Sequence, residues 1–331
     1  MRLRVLLCLL AGLVAVLFAA SLLIGPAHLP IGTSLRALFG SASESHAIVL
    51  VMQEIRLPRA LLGLLVGAAL GLSGAALQGF LRNPLAEPGL IGISGAAALG
   101  AVIALQTGLA AAFALALPLA ALAGATAAVA LILLLAGPRG STLTLILAGI
   151  AVSALAGALT ALVLNLSPNP FAATEMMFWL MGSLADRSML HVWLAAPLIL
   201  IGGATLLGLG RGLDALTLGE DAAEAMGIRI GRLRLTLILG TAAAVGSATA
   251  VAGAIGFVGL VVPHLLRRAV GARPSALLPA SALGGAAMVL AADIAVRVIA
   301  PERDLQLGVL TALVGAPLFL NLIWRSRGEE A

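Results

Sequence analysis

The chain has 331 residues, of which 61% are hydrophobic and only 10% charged, and its mean hydropathy is +1.15. These values exclude a water-soluble globular fold and favour a protein surrounded by lipid. All 19 basic residues are arginines, and we attribute the net charge of +5 to membrane topology, with no nucleic-acid partner.

Apolar runs long enough to cross a bilayer follow one another along the whole chain. Ten predicted crossings, in chain order, cover residues 5–24, 58–81, 92–106, 109–136, 143–166, 190–209, 233–255, 257–266, 277–299 and 307–324. The eighth is too short to span alone, so we expect it to lie among other helices, where broken backbone is tolerated. We predict an all-α, polytopic membrane protein forming a single transmembrane domain over residues 1–331.

The arginines predict the orientation of these segments. Thirteen of the 19 fall in loops or ends that are cytoplasmic if the N-terminus is inside, as the positive-inside rule requires. Ten crossings then place both termini in the cytoplasm. The first segment has the basic start and apolar centre of a signal peptide, but we expect it to stay as an uncleaved anchor.

A short pattern of small residues occurs twice. Val66-Gly67-Ala68-Ala69 is followed by Gly74-Ala75, and Val245-Gly246-Ser247-Ala248 by Gly253-Ala254 at the same spacing. Small residues at such intervals indicate close helix packing. Because the two copies lie five crossings apart, the halves of the chain are predicted to be inverted repeats.

No motif supports catalysis by this chain. A Gly-x-Ser-Gly pattern, as in some membrane proteases, ends at Gly95 but also at Gly74, and a pattern found twice in such a sequence carries little information. The four histidines are scattered, so neither a catalytic residue nor a metal site is predicted. The absence of lysine also excludes a phosphate-binding Gly-x-x-x-x-Gly-Lys loop.

Uphill transport would therefore need an ion gradient or a partner that hydrolyses ATP. Asp293 is the only carboxylate well inside a predicted span, and Arg297 lies one helical turn later. We expect the two to form an ion pair, which weakens the case for a proton relay. An ion-driven secondary carrier of a small solute remains the alternative.

The connector of residues 211–231 favours a partner that hydrolyses ATP over an ion gradient. It is predicted to form two short helices broken at Gly219, with Asp214 capping the first and acidic residues at the start of the second. Its apolar residues would leave an amphipathic surface outside the membrane: Leu213, Leu216, Ala223 and Met226.

Three motifs, in order along the chain, resemble those of the FecCD-type (BtuC-like) permeases. They are Arg56-Leu57-Pro58-Arg59 through Asn83-Pro84-Leu85-Ala86-Glu87-Pro88-Gly89, then Gly253 through His264, then Leu313-Val314-Gly315-Ala316-Pro317. Such permeases are the membrane subunits of ABC importers for iron-siderophores, haem or vitamin B12. The resemblance covers essentially the whole chain.

The resemblance implies a homodimer in the bacterial inner membrane, with two cytoplasmic ATP-binding subunits and a periplasmic substrate-binding protein. ATP and Mg would be bound by the partner subunits, and no cofactor by this chain. The residues of the family motifs do not distinguish a siderophore from cobalamin; haem is less favoured, because tyrosine is absent and no span offers an obvious histidine ligand.

The resemblance also implies roles for individual residues. The implied docking site for the binding protein consists of Arg56, Arg59 and Arg297. The implied coupling residues for the ATPase are Asp214, Glu220, Asp221, Ala222, Ala223 and Gly227. The implied cytoplasmic gate consists of Asn83, Leu85, Ser141 and Thr142. Three further residues either line an outer vestibule or pack a loop helix: Met176, Met177 and Met181.

Overall fold

The computed structural model describes residues 3–27, 29–40, 44–137, 142–300 and 305–329. Over these residues the chain is entirely helical apart from turns and loops. The α-helices of this part are α1 Leu3–Leu23, α2 Ile31–Leu38, α3 His46–Leu50, α4 Leu57–Leu81, α5 Ile93–Gln106, α6 Ala116–Ala136, α7 Thr142–Asn165, α8 Pro170–Leu180, α9 Met189–Leu207, α10 Gly210–Leu216, α11 Glu220–Ala225, α12 Ile230–Thr241, α13 Ser247–Ala252, α14 Val258–Arg267, α15 Pro274–Ile299 and α16 Leu307–Glu329.

The prediction of a polytopic all-α protein is confirmed. In the described part of the chain, seven helices are long and apolar enough to cross a membrane, and three shorter apolar helices accompany them. Together they match the ten predicted segments. The short helix α14 lies among other helices as expected, since six of its ten residues are buried.

Two predicted boundaries were wrong. The segment predicted over 109–136 begins its helix only at Ala116, because Gly108 takes a left-handed conformation and the next turn is a 3₁₀ helix, Leu109–Ala111. The segment predicted over 233–255 ends at Ala252, where Gly253 has φ +71°. A π-helical turn, Ala242–Gly246, joins α12 and α13 into one helix before that break.

Helix α4 is the centre of the bundle, and 17 of its 25 residues are buried. A π-helical turn, Val51–Arg56, joins it to α3, so that the continuous helix covers 36 residues. At 1.5 Å per residue it is about 50 Å long, which exceeds the ~30 Å hydrocarbon core. The sequence predicted only the part that is one membrane thick.

Small residues let α4 and α15 touch backbone to backbone. A Cβ atom on Gly67 would lie 2.7 Å from the Cα of Ala286, and one on Gly285 would lie 3.0 Å from the Cα of Gly71. In lipid, association depends on this kind of van der Waals contact, because lipid tails are as apolar as the helices. These glycines therefore have a packing role.

The two copies of the small-residue pattern differ in structure. Gly74 lies inside the continuous helix α4, whereas Gly253 ends α13. The carbonyl groups freed at that end are bonded from the loop after α8: the amide of Ser183 donates to Ala252 at 2.8 Å, and Nε of Arg187 donates to Val251. The inverted relation between the halves stays a prediction.

A proline inside α14 leaves one carbonyl without its helical partner. The carbonyl of Gly259 would accept from the amide of residue 263, but Pro263 has no N–H. Gln78 of α4, which is 1% exposed, donates its side-chain amide to Gly259 and Leu260 at 3.3 Å each. Arg267 donates to Oε1 of Gln78 at 2.9 Å and so orients the amide.

Replacing Gln78 by leucine should lower the free energy of unfolding by about 1–3 kcal/mol, since a buried carbonyl would lose its donor. Unfolding of the purified protein in detergent measures this. Adding Pro263→Ala restores an N–H that can bond to Gly259, so the double variant should regain part of the loss. A double variant no more stable than Gln78→Leu would show that the orphaned carbonyl is not the cause.

Candidate docking, coupling and gate sites

The first of the three arginines predicted to dock a binding protein lies against the end of α1. Arg56 is only 4% exposed. Its Nη1 donates to the carbonyls of Leu22 and Leu23 at 3.0 and 2.9 Å, and its Nη2 donates to the carbonyl of Ala27. The guanidinium thus satisfies the carbonyls at the C-terminal end of α1 and opposes the negative end of its dipole.

Arg59 and Arg297 share one buried carboxylate. Nε of Arg59 donates to Oδ1 of Asp293 at 2.8 Å, and Nη2 of Arg297 lies 2.8 Å from Oδ2. The second contact is an ion pair without hydrogen-bond geometry. Arg297 also donates to the carbonyls of Ser21 and Ile24 at 2.8 and 2.7 Å. The predicted ion pair between Asp293 and Arg297 is confirmed.

Exposure distinguishes these arginines. The side chain of Arg59 is 18% exposed, against 6% for Arg297 and 2% for Asp293. Arg59, Asp293 and Arg297 line a recess of about 390 Å³, together with Asp186 and Arg187 from the loop after α8. The recess is lined by both positive and negative side chains, so it suits a polar or charged group. Such a group would contact Arg59 first, because Arg59 is more exposed than Arg297 or Asp293.

The connector between α9 and α12 forms two short helices as predicted, α10 and α11, separated by Gly219 at φ +106°. The expectation that Asp214 caps α10 was wrong. Asp214 lies within α10, and its carboxylate accepts from the amide and hydroxyl of Ser275 at 2.8 and 2.6 Å and from Nε of Arg273 at 2.8 Å. It therefore caps α15 through Ser275, 61 residues later in the chain, and not its own helix.

The electrostatics of this cap follow from its geometry. Partial burial of Asp214 works toward a higher pKa, but the hydrogen bonds from Ser275 and Arg273 outweigh it and hold the pKa of the carboxyl below its ordinary value. Asp214 is thus ionised at neutral pH and fastens the connector to the start of α15.

The predicted apolar surface of the connector needs correction. Leu213, Leu216 and Ala223 are each at most 1% exposed, because they pack against the chain itself. Leu213, for example, lies close to Gly79 of α4, where a Cβ would be 3.5 Å from Cδ1 of Leu213. Met226 remains exposed at 63%, and Leu218, which the sequence interpretation did not select, is exposed at 68%.

The exposed surface of the connector combines these two apolar side chains with three carboxylates and two small residues. The carboxylates belong to Glu220, Asp221 and Glu224, and the small residues are Gly227, which is exposed, and Ala222, which is partly exposed. We call this set, with Leu218 and Met226, the connector surface. Of the six predicted coupling residues, only Asp214 and Ala223 lie outside it.

One of the predicted gate residues contacts the connector, and two others are exposed. Asn83 and Leu85 are exposed, and Oδ1 of Asn83 accepts from the amide of Leu85 at 2.9 Å. The hydroxyl of Thr142, at the start of α7, donates to Oε1 of Glu220 at 3.0 Å. Ser141 lies outside the described residues. The contact of Thr142 with Glu220 joins a gate prediction to a coupling prediction.

The three methionines in and just after helix α8 differ in exposure. Met176 has no exposed surface and packs the loop helix. Met177 is 57% exposed and Met181 partly exposed, so they could face a vestibule.

Sequence reasoning missed Gln78, Arg187 and Leu218. A glutamine inside an otherwise apolar span was the available signal for Gln78. No sequence signal distinguished Arg187 from other loop arginines.

The seven long apolar helices of the described part, the helix break at Gly253 and the structured connector define a polytopic membrane protein. The chain belongs to the FecCD transport family, whose model matches residues 13–325. This match confirms the family resemblance of the motifs.

The chain is similar in sequence to named relatives over most of their length. The cobalamin import system permease protein BtuC of Halobacterium salinarum is 41% identical over 86% of this chain and 75% of its own. The hemin transport system permease protein HmuU of Yersinia pestis is 38% identical over 90% of each chain. A solved inward-facing structure of a metal-chelate type ABC transporter superposes with a TM-score of 0.85 at 34% identity, covering 96% of this chain and 98% of that one.

Proposed function

We propose that this chain is the membrane subunit of an ATP-driven importer for an iron chelate, cobalamin or haem. The named relatives and the metal-chelate transporter support this cargo class. The proposed assembly is a homodimer in the bacterial inner membrane, with both termini in the cytoplasm and each chain acting as one permease unit over residues 1–331.

The connector surface carries the proposal. It exposes two large apolar side chains beside three carboxylates on helices that are rigidly attached to the membrane part. Leu213 packs near the end of α4 and Asp214 bonds to the start of α15, so force applied to the connector reaches two membrane helices directly. Such a surface suits docking in a groove of a cytoplasmic ATPase.

The mechanism follows from these attachments. ATP, bound with Mg by the two partner subunits, would draw them together, and the connectors would move with them. Motion of α4, α7 and α15 would then open or close the path at Asn83, Leu85 and Thr142. The chain itself makes no covalent bond and binds no cofactor in this scheme.

On the outer side, the arginine cluster is the proposed docking site for acidic side chains of a substrate-binding protein. Arg59 offers the most accessible guanidinium of the three. Arg56 and Arg297 would support the docking site indirectly, by fixing the end of α1.

Uptake by proteoliposomes tests the function. The chain, reconstituted with its ATP-binding subunits and binding protein, should accumulate a ferric siderophore, cobalamin or haem when ATP is supplied on the subunit side without an ion gradient. Accumulation that needs no ATPase subunit and collapses with an uncoupler would instead identify a secondary carrier.

Added negative charge on the connector surface should weaken ATPase docking. In Leu218→Glu combined with Met226→Glu, two exposed apolar contacts become carboxylates beside three existing ones, so we expect affinity for the ATP-binding subunit to fall at least tenfold. Co-purification measures this. The matched control, Leu218→Met with Met226→Leu, should retain the subunit; equal retention by both pairs would contradict the assignment.

A further inference from the structure

A second recess lies where α9 ends and α12 begins. It has a volume of about 580 Å³, within the ~300–1,000 Å³ range of small-molecule sites. Its walls come from the last turns of α9, the two ends of the connector and the first turns of α12. Gly212 lets the connector pack closely on α12 at one wall, since a Cβ there would lie 2.8 Å from Cδ1 of Leu233.

Three arginines line this recess: Arg211, Arg229 and Arg232. All three are exposed, and within the described part of the chain none of them forms a hydrogen bond or an ion pair. The described lining residues include no carboxylate. The recess is therefore a concentrated positive site without an internal counter-charge.

The apolar surroundings of the recess point to lipid. Leu209, Ile228 and Leu233 line it beside the arginines. Directly beyond it, α9 exposes Ile201 at 62% and α12 exposes Leu239 at 47%. These side chains lie on membrane-crossing helices, so the recess opens from a polar loop onto a surface that faces acyl chains.

We propose that this recess binds the phosphodiester headgroup of an anionic phospholipid. Arginine binds phosphate oxygens in bidentate fashion, and basic pockets between membrane helices suit such headgroups. The acyl chains would lie along the exposed apolar faces of α9 and α12. With the proposed orientation, the bound lipid belongs to the cytoplasmic leaflet and touches both ends of the connector, so it would brace the connector against the membrane.

Lipid titration of the purified transporter in detergent tests this inference. Phosphatidylglycerol and cardiolipin should be retained in native mass spectra, and phosphatidylethanolamine should not. Arg229→Gln combined with Arg232→Gln should weaken phosphatidylglycerol binding about 25-fold, the product of about fivefold for each charge. The matched control, Arg82→Gln with Arg268→Gln, removes two exposed arginines elsewhere and should change binding less than twofold.

Other occupants give different results. Unchanged lipid binding in the recess variant would overturn the proposal. So would displacement of the lipid by millimolar glycerol 3-phosphate or inorganic phosphate, which would indicate a site for a free phosphate. Loss of the ATP-binding subunit with lipid retained would assign the arginines to an acidic protein surface. The lipid-binding measurement does not require transport, so this inference can fail independently of the proposed function.

Discussion

Replacing Gly67 by leucine should prevent the chain from folding. A side chain at this position would meet the backbone of α15, with the first carbon only 2.7 Å from the Cα of Ala286. Inserting methylenes into a packed core typically costs about 1–3 kcal/mol when neighbouring side chains can adjust. Here the neighbour is helix backbone, so the cost should exceed that range and approach the whole stability of ~5–15 kcal/mol.

The measurement is the yield of monodisperse protein in detergent and its melting temperature. Gly12→Leu provides the matched control, because a Cβ at Gly12 in α1 would have no atom within 4 Å. We expect that variant to behave as the unchanged protein. Normal yield and melting of Gly67→Leu would refute the close packing of α4 against α15.

Replacing Asp293 by asparagine should have the second largest effect. The carboxylate lies 2.8 Å from guanidinium nitrogens of both Arg59 and Arg297, and its side chain is 2% exposed. Without it, two largely buried cations lose their shared counter-charge. Breaking a buried pair in this way costs about 3–5 kcal/mol. Because Arg297 also holds the end of α1, we expect α1 to loosen as well.

Thermal unfolding and proteolysis of the loop after α1 report the two consequences. Arg36→Gln serves as the control, because it removes one partner of the 2.7 Å pair with Glu44 at a side chain that is 57% exposed. Such a surface pair is worth about 0–1 kcal/mol. A loss for Asp293→Asn no greater than that for Arg36→Gln would mean that the buried cluster does not stabilise the fold.

The three arginines of the predicted docking site show that a residue's presence in a motif does not determine which contacts it makes. The sequence predicted Arg56, Arg59 and Arg297 near the outer ends of spans. The structure brings Arg56 and Arg297 to the end of α1 and joins Arg59 to Arg297 through Asp293. Arg56 donates hydrogen bonds to backbone carbonyls of α1. No local sequence pattern around position 56 predicts these hydrogen bonds, because the carbonyls lie more than 30 residues earlier in the chain.

The connector gives the complementary case. Its two helices and the break at Gly219 were predictable, since the signals are local: a glycine and acidic residues at a helix start. Which of its apolar residues faces a partner was not predictable. Leu213 and Leu216 are buried because α10 packs on α4 and α15, and Ala223 is buried in α11, which packs on α10 and α12. Leu218 and Met226 are left outside.

The sequence by itself determined the lipid surroundings, the order of the apolar helices, the family and the ion pair between Asp293 and Arg297. Each of these depends on composition, run length, an ordered motif or a spacing of one helical turn, and such signals lie close together in the chain. Only the tertiary structure decided the rest: the Gln78 contact with α14, the cap that Asp214 provides to α15, and the arginine-lined recess. The first two are contacts between helices distant in sequence, and the recess depends on how α9 and α12 pack beside the connector. All three exist only once close packing has brought the helices together.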